Sequence, residues 1–289
     1  MTKIRSVDRP DADTVADVLA LATAAEQADG VYPLSEDVVL RVRHGGGTHL
    51  LASADDGALA GYAFVEAGSG ELVVHPSRRR HGYGSSLLAA AGDGPLAFWA
   101  HGDNAAAVAF AEKSGFIRSR VLWQMRRSLG DFSEVSVMPS GVTLRHFRPG
   151  HDEEAWLAVN ARAFAHHPEQ GRWTIDDLRL REAEPWFDPA GFLLAVDIED
   201  TLLGFHWTKV HPPAGDDPAI GEIYVLGVDP GGHRRGLGAA LSVAGLQHLA
   251  ETGLTQAMLY VDESNAAAVA LYRKLGFEIY KTDVMYERS

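Results

Sequence analysis

Residues 104–116, NAAAVAFAEKSGF, return almost unchanged as NAAAVALYRKLGF at 265–277, 161 positions later. A second pair of phrases, LVVHPSRRRHGYGSSLLAAAG (72–92) and LGVDPGGHRRGLGAALSVAGL (226–246), is displaced by 154. In each, a β-branched run ends at a proline, passes through arginines and reaches Gly-x-Gly before an Ala/Leu-rich stretch. The same elements in the same order mean one module written twice, since a period this long is far beyond a solenoid repeat. A chain of 289 residues is long enough to bury two cores. The stretch 128–142, SLGDFSEVSVMPSGV, sustains neither a helical nor an alternating period and reads as a linker between domains 1–130 and 141–289.

In the second half, apolar periodicity predicts a strand at 142–147, helices within 151–182, and strands at 192–197, 202–210 and 221–228. A helix 236–251, a strand 256–261, a helix 265–274 and a final hairpin to 288 follow. The insertion HPPAGDDPAIG (211–221) reads as a turn or surface loop. The first half repeats this order in shorter form, so each domain is expected to be an α/β (α+β) unit with a mixed sheet. No apolar run is long enough to span a bilayer, and the N-terminus lacks the apolar core of a secretory signal. The expected state is a cytoplasmic monomer without a membrane partner. The net charge of −13 opposes binding to nucleic acid. Cysteine is absent, which removes disulfides and thiolate chemistry. No metal is expected, because His166, His167 and Glu169 are too closely adjacent for ligand spacing.

The glycine-rich phrases carry the first chemical signal. Asp229-Pro230 starts a turn after a strand, Gly231-Gly232 frees the backbone, and Gly236 and Gly238 leave the start of the next helix bare. Exposed N–H groups at a helix N-terminus make an anion cradle, and Arg234 and Arg235 add positive charge beside it. A pyrophosphate suits such a succession of donors. One copy alone reads equally well as a glycine-ended strand beside a solvated arginine cluster. The duplicate at Arg79, Arg80, Gly82 and Gly84 shifts the balance towards a ligand site.

Arg-x-x-Gly-x-Gly at 79–84, its counterpart at 233–238, and Asn-x-x-Ala-x-x-x-Tyr-x-x-x-Gly-Phe at 265–277 resemble the acetyl-CoA loop and following helix of the GNAT acyltransferase superfamily. His233 departs from the usual Gln or Arg. The resemblance covers both modules and implies two tandem GNAT-like domains. It implies acetyl-CoA binding at Leu226, Gly227, Val228, His233, Arg234, Arg235, Gly236, Leu237, Gly238, Ala239, Asn265 and Ala268. In the first copy it implies the same at Leu72, Val73, Val74, Arg80, His81, Gly82, Tyr83, Gly84 and Ser85.

Acetyl transfer to an amine needs a base, an oxyanion stabiliser and an acid for the departing thiolate. Glu222 opens the strand leading into the second loop. Strand alternation predicts Glu222, Tyr224, Leu226 and Val228 on one side, which makes Glu222 the candidate base; the plain alternative is an exposed polar residue at a strand start. The backbone N–H near Leu226 or Val228 is the candidate oxyanion donor. Asn265 reads as an N-cap. Tyr272, seven residues on, shares its helix face about 10.5 Å along the axis and is the candidate acid. An ordinary core tyrosine is the alternative, although it leaves unexplained why the first copy has Ala111 there. Counting back 154 from Glu222 reaches Gly68, so the first copy is expected to bind cofactor without catalysis.

Longer phrases, AFAHHPEQGRWT (163–174), EPWFDPAGFLLA (184–195), LLGFHWTKVHP (202–212) and GEIYVLGVDP (221–230), are similar to one tandem-domain branch of that superfamily. That branch acetylates the cysteinyl amine of cysteinyl-glucosaminyl-inositol. The similarity implies acceptor contacts at Glu36, Glu169, Lys209, Glu222 and Tyr260, with Glu36 brought from the first domain. Carboxylates accept charge-assisted bonds from sugar hydroxyls, yet Glu36 and Lys209 read equally as surface charges. His206 and Trp207 are expected to be strand packing. An acetyltransferase for an aminoglycoside or a protein N-terminus, or an acetyl-CoA sensor without catalysis, stays open at this point.

Overall fold

The computed structural model of the chain describes residues 3–130, 132–166, 170–213, 217–232 and 236–289. They form two compact units. One runs to Trp123 and includes Asp262–Ser264 and Lys281–Ser289; the other holds Gln124–Val261 and Asn265–Tyr280.

The first unit contains β1 (Lys3–Val7), α1 (Ala12–Asp29), α2 (Glu36–His44), β2 (Thr48–Ser53), β3 (Leu59–Glu66), β4 (Ser69–Val74), α3 (Tyr83–Ala91), β5 (Leu96–Ala100), α4 (Ala105–Lys113) and the start of β6 (Ile117–Ser128). Strands β1 to β4 form an antiparallel meander, and β5 joins β4 in parallel after the α3 crossover. Local chemistry sets the boundaries. Asp11 caps α1 through the Thr14 N–H, and Gly30 ends it in the left-handed region at φ 73°. Helices α1 and α2 lay Val18, Leu21, Val38 and Val42 against Tyr62 and Phe64 of the sheet.

The second unit repeats the order with β7 (Thr143–His146), α5 (Glu153–Ala163), α6 (Ile175–Glu182), β8 (Phe192–Val196), β9 (Leu202–His211), β10 (Ile220–Val228), α7 (Leu237–Glu251), β11 (Gln256–Asp262) and α8 (Ala266–Lys274). Strands β7 to β10 are antiparallel and β11 is parallel to β10. Helix α6 begins with a capping box between Thr174 and Asp177. Its core is aromatic: Trp156, Phe192, Phe205 and Trp207 are fully buried, with Phe192 stacked on Trp207 at 4.4 Å. Truncating one such ring to alanine costs about 3–5 kcal/mol.

Two boundaries differ from the sequence reading. The expected final hairpin is one continuous strand, β12 (Glu278–Arg288), whose Val284–Arg288 pair antiparallel with β5. No Gly, Asn or Asp pair interrupts EIYKTDVMYER to turn the chain, so the ladder runs on. The segment 211–221, expected as a loop, contributes His211 to β9 and Ile220 and Gly221 to β10. His206 is packing, as expected. It is fully buried with Nδ1 2.7 Å from the Leu241 carbonyl, and burial pulls its pKa down to about 4, leaving it neutral. Among the described residues no helix is long and apolar enough to cross a membrane.

Candidate active site

The described parts of the duplicated phrases start and end their helices alike. Gly82 and Gly236 are the N-caps of α3 and α7, at φ 90°, ψ −5° and φ 87°, ψ −3°. That is the left-handed region where glycine meets no Cβ penalty. Asn104 and Asn265 cap α4 and α8 through the N–H three residues on, at 2.8 and 3.2 Å. Both of those helices end with the same long turn, Phe116 N–H to Ala111 C=O at 2.9 Å and Phe277 N–H to Tyr272 C=O at 3.0 Å. Ala111 and Tyr272 therefore occupy the same structural position.

Neither α3 nor α7 has a side-chain cap, in contrast to α1, α2, α4, α6 and α8. Their first-turn N–H groups therefore lack an acceptor from the cap residue, and a Cβ added at Gly82 or Gly236 would meet nothing within 4 Å among the described residues. An open, uncapped helix start suits an anionic ligand. Leu237, Gly238 and Ala239 supply the first turn of α7, as Tyr83, Gly84 and Ser85 do for α3. Leu226, Gly227 and Val228 end β10, and Leu72, Val73 and Val74 end β4. Ala268 lies in the first turn of α8. His233, Arg234, Arg235 and Glu169 lie outside the described residues. In the first copy, Arg80 takes φ 66° and His81 Nδ1 lies 2.7 Å from the Arg79 carbonyl. Arg79 itself grips Asp29 through two bonds of 2.7 and 2.6 Å.

The second copy departs from the first inside its strand. The β9–β10 register passes from Thr208↔Ile223 to Trp207↔Val225, so Tyr224 and Val225 together face Trp207 in a β-bulge. The bulge overturns the expected alternation. Glu222 shares its face with Val225 and Gly227, while Leu226 and Val228 pack on the α7 side with Leu237 and Leu241. The parallel β10–β11 ladder stops at Ile223↔Leu259, although β9 continues alongside to Val228. Beyond the bulge, β10 therefore has an edge that β11 does not pair. The bulge also moves the counterpart of Glu222 by one residue. Ser69 pairs with Ala97 as Glu222 pairs with Met258, so the first copy has Ser69 rather than Gly68 there, and still no carboxylate.

Register brings three predicted residues together. Lys209 stands directly opposite Glu222. Met258 pairs with Glu222, so Tyr260, two residues on, lies on the same face. Glu222 and Lys209 are 6% and 8% exposed. The Lys209 ammonium sits 4.4 Å from the Trp186 ring centroid and 5.2 Å from that of Tyr224, a cation–π seat that offsets its burial. The Tyr260 hydroxyl accepts a 2.7 Å bond from Gln124 Nε2. Glu36 is the first residue of α2 in the other unit, after the N-cap Ser35. Tyr272 is buried against Phe277 at 5.9 Å between ring centroids. Burial pushes its pKa up to about 12, so the phenol keeps its proton at neutral pH. Among the described residues no group hydrogen-bonds its hydroxyl.

Two features escaped the sequence reading. His211 Nε2 lies 2.6 Å from Glu222 Oε2; period-two spacing from Lys209 was the available signal, hidden by ending the strand at 210. In the first unit, Glu71 accepts a 2.7 Å bond from the Ser35 N–H and lies 3.4 Å from His101 Nε2, whose Nδ1 is 3.1 Å from Asp283. Burial opposes charge on His101, but Glu71 and Asp283 outweigh it and lift its pKa to about 10. Glu71 thus serves an ion cluster assembled from β4, β5's end and β12, which no local motif announces.

Residues 154–277 match the acetyltransferase (GNAT) family, and residues 45–118 match an acetyltransferase (GNAT) domain. The chain is 55% identical to the mycothiol acetyltransferase of Salinispora arenicola, covering 99% of this chain and 97% of the relative. It is 56% identical to that of Thermobispora bispora, covering 94% and 95%. Among solved structures, a tandem GNAT protein from the clavulanic acid pathway superposes with a TM-score of 0.73 at 20% identity, over 100% of this chain and 98% of that one. A GCN5-related N-acetyltransferase from Sphaerobacter thermophilus gives 0.67 at 25% identity, over 99% and 95%.

Proposed function

The chain belongs to the mycothiol acetyltransferases, a tandem-domain branch of the GNAT family, and from that membership we propose the reaction and the roles that follow. It is an acetyltransferase that moves the acetyl group of acetyl-CoA to the cysteinyl amine of cysteinyl-glucosaminyl-inositol, giving mycothiol. The observation that carries the site assignment is a buried carboxylate, Glu222, paired across the strands with Lys209 and hydrogen-bonded to His211, on the face that Tyr260 shares.

Acetyl-CoA, when bound, supplies a thioester carbonyl open to attack by an amine. Its pyrophosphate suits the N–H groups of Leu237, Gly238 and Ala239 beside Gly236, with His233, Arg234 and Arg235 as proposed side-chain contacts. Leu226, Gly227 and Val228, on the strand edge freed after the bulge, offer backbone donors, and one N–H there is the proposed oxyanion donor. Asn265 and Ala268 flank the same ligand at α8. In the first copy Leu72, Val73, Val74 and residues 80–85 are the proposed equivalents, in a module read as 1–130 that binds without catalysis; the second module is read as 141–289.

Glu222 takes a proton from the acceptor's ammonium, which frees the nitrogen lone pair. Tyr272 gives its phenolic proton to the departing sulfur. Glu36, Glu169, Lys209 and Tyr260 are the proposed acceptor contacts, suited to a ligand rich in hydroxyls and carrying a cationic amine. We further read the protein as a cytoplasmic monomer whose charge disfavours nucleic acid. The test is an amine screen with acetyl-CoA that includes cysteinyl-glucosaminyl-inositol, aminoglycosides and peptide N-termini. Turnover of the cysteinyl amine far above the others is the expected result. Preference for another amine would remove the acceptor assignment, and acetyl-CoA binding without turnover of any amine would mean a sensor.

A further inference from the structure

The hydrogen bond between His211 and Glu222 has no part in the roles above. We propose that His211 is the proton exit of the active site, a positioning and relay residue that acts through Glu222; this rests on the reading of Glu222 as the base. The reaction's balance requires such an exit. An ammonium and a thioester become an amide and a thiol: the N–C bond forms, the C–S bond breaks, and nitrogen loses two protons. One ends on sulfur. The other must reach solvent in every turnover.

Glu222 cannot discharge that proton easily, since its side chain is only 8% exposed. His211 is the bridge outward. Its side chain is 30% exposed while Nε2 sits 2.6 Å from Glu222 Oε2. The register explains the contact. His211 pairs with Ile220 and Lys209 with Glu222, so His211 is the diagonal neighbour of Glu222 on one sheet face. Two other charged groups among the described residues of these strands and their loop do not serve. The Lys209 ammonium has donors and no acceptor and lies over Trp186 and Tyr224. Asp217, in the loop between the strands, is held by Arg126 at 2.9 Å. Imidazole alone offers an acceptor on one nitrogen and a donor on the other. The proton on Glu222 passes to Nε2 while that nitrogen is bare, the imidazolium releases its Nδ1 proton to water, and the Nε2–H left behind donates to the Glu222 carboxylate until exchange with water moves the proton to Nδ1 for the next cycle.

Full-length wild type, H211Q, H211A and E222Q are compared in steady-state acetyl transfer to cysteinyl-glucosaminyl-inositol, with and without added imidazole. Glutamine preserves an N–H donor to Glu222 but carries no proton; alanine opens room for a diffusible base. H211Q and H211A are expected to lose at least about tenfold in kcat with the acetyl-CoA KM unchanged. Imidazole restores H211A saturably and leaves wild type and E222Q unaffected. Thermal unfolding and acetyl-CoA binding establish that each variant is folded. Wild-type kcat in H211Q, or a folded H211A that no small base rescues, overturns the relay. Wild-type turnover by E222Q removes the base assignment itself, a result independent of anything seen at position 211.

Discussion

Replacing Tyr272 with Phe removes one oxygen from a buried ring and leaves its packing on Phe277 in place. No described group hydrogen-bonds that hydroxyl, so the substitution orphans no partner, and folding stability should shift by no more than about 0.5 kcal/mol. Function should respond differently. With a pKa of about 12, the phenol is fully protonated at pH 7 and can donate in every cycle. Transfer to a thiolate of ordinary pKa, about 8.5, is uphill by about 3.5 units or roughly 5 kcal/mol. The same burial that raises the phenol also raises a thiolate leaving beside it, which narrows that gap. A hydrogen bond to a charged acceptor is worth about 1.5–3 kcal/mol, so Y272F should lower kcat by roughly 10–150-fold. Saturating steady-state assays, acetyl-CoA titration calorimetry and thermal melts separate the outcomes. Wild-type kcat in Y272F, or a kcat loss matched by lost stability or cofactor affinity, refutes the role of acid.

E222Q should cut acetyl transfer by about 10²-fold or more while acetyl-CoA affinity, measured calorimetrically, stays unchanged. G236A meets no described residue but forces an alanine to φ 87°, at about 1–2 kcal/mol; acetyl-CoA binding should weaken, and unaltered affinity would count against the α7 loop as the cradle. G245A drives a methyl into the His206 ring and should destabilise the second unit by about 3 kcal/mol in urea unfolding. His101 binds its proton more tightly folded than unfolded, with the pKa lifted from 6.5 to about 10. The stabilisation, on the order of 5 kcal/mol at most, is full below pH 6.5 and lost as pH rises through about 10. Urea midpoints of wild type should fall over that range and those of H101N should not.

What the sequence made legible was whatever is encoded locally. Asn104 and Asn265 announce caps because a side-chain oxygen three residues before a bare N–H is a local event, and Gly82 and Gly236 announce loops because only glycine takes that φ cheaply. Lys209, Glu222 and Tyr260 were named through a family likeness, but their shared face is a fact of register. Tyr224 is where local reading failed. Strict alternation carried the side of Glu222 over to Leu226 and Val228, and nothing in EIYVLGV marks a bulge, since the extra residue is defined only against Trp207 of the partner strand. His211 was lost to a boundary error of one residue, and the His101 cluster to a sequence separation of 182 positions from Asp283.

Gly82 and Gly236 agree to within a few degrees, and the long turns that end α4 and α8 agree to 0.1 Å, so both copies keep the backbone that starts the helix after each loop. The differences that bear on catalysis are one inserted residue and three side chains. Ser69 replaces Glu222, Ala111 replaces Tyr272, and the first copy's own buried carboxylate, Glu71, is consumed by Ser35 and His101. Restoring catalysis to the first copy therefore takes more than S69E and A111Y. Without a bulge, β4 stays in register with β5 through Glu71↔Trp99, and the strand edge that β10 frees after Ile223 remains closed at the equivalent point. A first copy given both side chains should gain no activity when the second is silenced by E222Q. Activity in that double replacement would show that the bulge is dispensable and that side chains alone divide the two sites.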